Sequence, residues 1–120
     1  MNLIIKLLII LVALEHLYIL WLEMFAWTSA GRRTFKSMSA ELFEKTKSMA
    51  ANQGLYNGFL AAGLIWSIII KDPEWSRNIA VFFLSCITIA GIYGAISVQR
   101  SIFYIQGLPA MLALAAIYLL

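Results

Sequence analysis

Between Leu3 and Thr28 the chain is apolar apart from Lys6, Glu15, His16 and Glu23. About 20 apolar residues wound as a helix cross the hydrocarbon core of a bilayer, so the run is long enough to span. Lys6 lies near one end, where its stem can carry the ammonium to water. Glu15 and His16 fall near the middle and have no such escape. An Asp, Lys or Arg at the centre of a spanning helix is disfavoured by about 2.5–3.5 kcal/mol, and a glutamate belongs to the same class, less so when protonated. At about 100° per residue, His16, Glu23 and Trp27 share one stripe, with Glu15 to one side. Two readings follow. The stripe is a proton, ion or ligand site facing a bundle interior. Alternatively, it is a hydrogen-bond clamp between helices.

Composition makes the case for a membrane protein. The 120 residues are 62% hydrophobic and 12% charged, with mean hydropathy +0.86. A soluble domain carries about 25% charged residues. The single cysteine, Cys86, excludes an intrachain disulfide and a cysteine zinc site. The net charge of +3 sits on basic residues clustered in sequence. That clustering points to topology and lipid headgroups, with no nucleic-acid partner.

Four spans are expected, at roughly 3–28, 50–70, 77–98 and 102–120, forming one membrane domain over 1–120. The fold class is all-α, a four-helix transmembrane bundle with a short amphipathic interfacial helix in the first loop. A cleaved signal peptide is rejected for the first span, because the apolar stretch is too long and carries Glu15, His16 and Glu23. In the loop 29–49, Ser39 is placed to cap a short helix with Glu41 in its first turn. Met38, Leu42, Phe43 and Met49 give that helix an apolar side.

The second span opens with Asn52, Gln53, Gly54, Leu55, Tyr56, Asn57 and Gly58. Gln53, Tyr56 and Asn57 share one arc, and such side chains need partners in lipid. Gly54, Gly58 and Ala62 form a small-residue face on another arc, as do Gly91 and Ala95 on the third span. These faces serve either packing within one bundle or a homo-oligomer. Lys71-Asp72-Pro73-Glu74 reads as a turn. Pro109 should free the carbonyl of Ile105 and kink the fourth span.

Five of the nine Lys and Arg residues lie in the first loop and one in the third. The positive-inside rule places those loops in the cytoplasm and both termini outside. Glu23, Asn52, Gln53, Tyr56, Asn57, Tyr93, Ser97, Gln99 and Gln106 then fall in the cytoplasmic half, with Glu15 and His16 near the midplane. The expectation is a pocket closed outward and open to the cytoplasm. Glu15, His16, Glu23, Trp27, Asn52, Gln53, Tyr56, Asn57, Tyr93 and Gln106 line it.

Two stretches resemble the DUF1304 family of small bacterial membrane proteins. One is His16-x-Tyr18-Ile19 with Glu23-Met24-Phe25-x-Trp27. The other is Asn52 to Gly63, which begins Asn-Gln-Gly-Leu-Tyr-Asn-Gly. Ala90-Gly91-Ile92-Tyr93-Gly94 and Gln106-Gly107-Leu108-Pro109-Ala110 fit its later part. The resemblance implies four spanning helices and a bacterial inner membrane, and implies no activity.

Three functions are weighed. A binding or transport protein would hold a proton, cation or small amine on His16 and the glutamates, with amides lining the path. A membrane enzyme acting on a quinone or lipid would use His16 for acid–base work, with Tyr56 or Tyr93 as proton donor. It has no nucleophile elbow, metal-binding His pair or redox Cys pair. No metal site is assigned and no cofactor is named, since one imidazole makes a weak soft-metal site and His16 is the only axial ligand a haem would find. The third is a structural module assembling through its glycine faces.

Overall fold

A computed structural model describes residues 1–120. The chain is all-α, with six α-helices and one π-helical turn and no strand. The helices are α1 (Leu3–Phe25), α2 (Ala30–Thr34), α3 (Ala40–Lys45), α4 (Lys47–Ile69), α5 (Pro73–Ser97) and α6 (Leu108–Leu119), and the π-helical turn Phe103–Gly107 precedes α6. α1 and α5 are each long and apolar enough to cross a membrane, and only 28% of the apolar window of each is buried within the chain. The core helix of a soluble protein is mostly buried. Leu3, Leu7 and Leu14 on α1 and Ile89 and Ile96 on α5 instead face outward.

The residues fall into two compact units, Met1–Glu15 with Leu60–Leu120, and His16–Phe59. In the first, Ile5 and Ile9 of α1, Leu84 and Ile87 of α5, and Ala110 and Ala113 of α6 are buried together. Their spacing of three or four puts one apolar stripe of each helix into a shared core. The alanines keep the α6 stripe thin, so backbones come close. Closest is the meeting of α5 with the π turn. A Cβ added to Gly91 would lie 2.5 Å from the Gly107 Cα and 2.6 Å from its nitrogen. Two buried hydroxyls find carbonyls: Ser67 donates to Leu64 O at 2.6 Å, and Ser76 donates to Ser67 O.

The second unit closes around Trp27. Its indole ring lies against Phe43 and Phe35, at 5.0 and 5.5 Å between ring centroids. Its Nε1 donates to Thr46 Oγ1 at 3.0 Å. Ser39 Oγ accepts from Leu42 N, capping α3 with Glu41 in its first turn. Phe43 is buried at 1% exposure, whereas Leu42 is exposed and Met38 and Met49 lie outside α3, so the expected four-residue apolar side reduces to Phe43. Trp27→Phe keeps the ring stack and removes the hydrogen bond. Unfolding in mixed micelles should show a loss of about 1 kcal/mol, the usual net worth of one such bond.

Three boundaries and the interior of the last helix differ from expectation; one boundary is the start of α4 at Lys47, three residues before residue 50. α1 stops at Phe25, and Trp27 lies beyond its end, because the backbone turns there: Ser29 N and Gly31 N both donate to Ala26 O. α5 begins at Pro73, four residues before the expected start. Asp72 accepts from Glu74 N and Trp75 N at 2.9 and 3.1 Å, and Pro73 occupies the first turn, where it needs no donor. The last helix absorbs Pro109 with the π turn, in which Leu108 N donates to Phe103 O. A wide turn of this kind re-registers the carbonyls ahead of a proline.

Candidate functional site

The glycines of the small-residue face of α4, Gly54 and Gly58, meet α1 of the same chain, whereas Ala62 is exposed. A Cβ on Gly54 would lie 2.7 Å from Met24 Cγ and 3.0 Å from Glu23 Cβ, and one on Gly58 would lie 2.5 Å from Leu20 Cδ1. Only glycine lets the backbone of α4 press against the stem of Glu23. One turn on from Gly54, Asn57 Nδ2 then reaches Glu23 Oε1 at 2.6 Å. The same nitrogen donates to the Gln53 carbonyl at 3.1 Å. Both neighbours are acceptors, which fixes the amide with its nitrogen toward them. Both hydrogens of Asn57 are therefore committed. The polar atoms the pair still offers are oxygens: Glu23 Oε2 and Asn57 Oδ1.

The other candidate residues divide by exposure. His16 lies two turns before Glu23 on α1 and is buried at 1% exposure, the only buried imidazole the chain has. Glu15 is half-buried. Asn52, Gln53 and Tyr56 are exposed, and the Tyr56 ring leans on Phe59 at 6.0 Å. The cause is the width of the α4 contact. Gly54 and Gly58 lie on one side of Asn57 and meet α1, whereas Asn52 and Tyr56 lie on its other side and face out. Trp27 is committed to Thr46 and the Phe35–Phe43 stack. In the other unit, Tyr93 is 71% exposed, and Gln106 is half-buried within the π turn. The structure thus brings Glu23 and Asn57 together directly. Reading the sequence alone missed Gly54 as the contact that positions Glu23, and Thr46 as the partner of Trp27. The signal for Gly54 was present, since it lies three residues before Asn57 on the same helix.

A separate cleft of about 310 Å³ lies in the first unit, lined by residues including Asn2, Ile5, Pro73, Arg77 and Ile117. None of the ten candidate residues lines it.

Residues 10–118 match the DUF1304 family, described as proteins of unknown function. The chain belongs to that family. It is 35% identical over 107 residues to the uncharacterized protein YpaA of Lactococcus lactis subsp. lactis, covering 88% of each chain. No solved structure matches it. All ten candidate residues, from Glu15 to Gln106, fall inside the part matching DUF1304.

The chemistry open to this DUF1304 protein follows from the donor count. With the amide hydrogens spent, a ligand at Glu23 and Asn57 must bring its own donors or positive charge. A proton on Oε2, a desolvated cation or an ammonium group meets that demand. An anion would meet two oxygens and be repelled.

Proposed function

We propose that the chain is a four-span membrane domain covering residues 1–120, in a bacterial inner membrane, that binds a proton, cation or small cationic molecule at Glu23. The observation that carries this reading is the Asn57–Glu23 hydrogen bond. It couples the carboxyl of one long helix to the amide of another and leaves two oxygens for a ligand. His16 on the same stripe of α1 supplies a second group able to take or pass a proton. Positive-inside charge places both termini outside and the loop 29–49 in the cytoplasm. On that topology Glu23 is in the cytoplasmic half, and its site opens to that side. Transport would follow if the site were reached alternately from each face.

The direct Asn57–Glu23 contact also favours a second reading, a clamp that only holds helices together. Purified protein in liposomes separates the two. Proton flux is followed with an entrapped pH dye, cation flux with potassium and sodium, and uptake of an organic cation with tetraphenylphosphonium. One of these should be transported or bound by the wild type and should fall at least about tenfold in Glu23→Gln. If the wild type neither binds nor moves any of the three, or if Glu23→Gln matches it, the clamp reading stands and the binding reading fails.

A further inference from the structure

We propose that the segment 30–47 is a platform that binds anionic phospholipid headgroups. Its five cations, Arg32, Arg33, Lys36, Lys45 and Lys47, face two carboxylates, Glu41 and Glu44. The rest of the chain is balanced, four cations against four carboxylates, so the entire excess charge of the protein lies on these 18 residues. Both local carboxylates are occupied. Lys45 pairs with Glu41 at 3.1 Å, and Arg32 approaches Glu44 at 3.9 Å. Arg33, Lys36 and Lys47 are exposed and have no acidic partner in the chain, so their counter-charge comes from outside.

The partner is fixed by what surrounds those cations. The segment is no loose tether. Trp27 ties its two ends together through Phe35, Phe43 and Thr46, and Thr34 Oγ1 donates back to Ala30 O at 3.1 Å. It begins just beyond α1, a helix long and apolar enough to cross a membrane, and ends where α4 starts, which sets it at the end of that apolar helix. Phe25 and Met49, at its two margins, are 73% and 70% exposed, and Leu42 within it is 42% exposed. Apolar side chains next to unpaired cations match the boundary between acyl chains and headgroups. An acidic soluble protein would satisfy the charge and leave Phe25 and Met49 uncovered. A phospholipid with a net negative headgroup satisfies both.

The test compares spin-labelled phosphatidylglycerol with spin-labelled phosphatidylcholine on the full chain in phosphatidylcholine bilayers. The fraction of motionally restricted label gives relative association. One juxtamembrane cation is worth about 1 kcal/mol, roughly fivefold. The wild type should prefer phosphatidylglycerol by at least about fivefold at low salt, and 1 M salt should erase most of that preference. Arg33→Gln, Lys36→Gln and Lys47→Gln combined should bring the ratio to about one. These side chains are exposed, so helicity by circular dichroism should not change. Lys6→Gln, Lys71→Gln and Arg77→Gln combined should keep the preference. Equal association of both lipids in the wild type overturns the proposal. It is also overturned if the first triple variant keeps the preference or the second loses it. None of these outcomes bears on Glu23.

Discussion

Gly91→Ala should destabilise the protein by about 2–3 kcal/mol, at the upper end of what one added methyl does in a packed core. The reason is what the methyl would meet. At Gly91 the obstacle is backbone, the Gly107 Cα at 2.5 Å and nitrogen at 2.6 Å, and backbone cannot rotate away. α5 and the π turn must separate, and the buried alanine stripe behind them loses contact. Gly94→Ala, one turn on, provides the comparison. Its methyl would meet Ile102 Cγ2 at 2.8 Å, the far end of a side chain that can move. The expected order is therefore Gly91→Ala well below Gly94→Ala in stability, read from unfolding in mixed micelles. Amide exchange at Phe103–Gly107 should speed up only in the first variant. Equal losses at the two glycines would mean that the close approach of Gly91 and Gly107 does not exist in the bilayer.

This contact also shows where the sequence was readable and where it was not. The helical elements and the Ser39 cap follow from patterns within a few residues, and local chemistry determines them. The turn signal Lys71-Asp72-Pro73-Glu74 falls where the chain leaves helix between α4 and α5. The start of α5 was readable in the same residues, because Asp before Pro with an acid in the first turn also opens a helix. The π turn was not readable. Pro109 announces a disturbance, and the tertiary contact that accompanies the widened turn, Gly91 of α5 against Gly107, lies outside any local pattern. The site divides the same way. That Glu23 and an α4 amide need partners follows from what desolvating them costs. Which amide meets Glu23 depends on the rotation of α4. Gly54 and Gly58 set that rotation, turning Asn57 inward and Asn52 and Tyr56 out.

The Glu23–Asn57 pair should couple by about 1.5–3 kcal/mol in a double-mutant cycle of Glu23→Leu and Asn57→Leu, the range for a hydrogen bond to a charged group. Neutral interhelical hydrogen bonds in membranes average about 0.6 kcal/mol. The gap separates two physical states of the site. Asn57 Nδ2 donates to Glu23 Oε1 at 2.6 Å, a contact open to either state. The single variants should also be unequal. Asn57→Leu leaves the Glu23 carboxyl beside the glycine face of α4 with no donor, and it should be the more damaging. Glu23→Leu leaves Asn57 its bond to the Gln53 carbonyl. The double variant should recover part of the loss, because two apolar groups then face each other. A coupling near 0.6 kcal/mol would make the pair a neutral clamp and leave no charge on Glu23 to attract a cation. A coupling above 1.5 kcal/mol means the fold holds a charged carboxylate between two helices against its desolvation. Such a carboxylate is the acceptor that the proposed cation site requires.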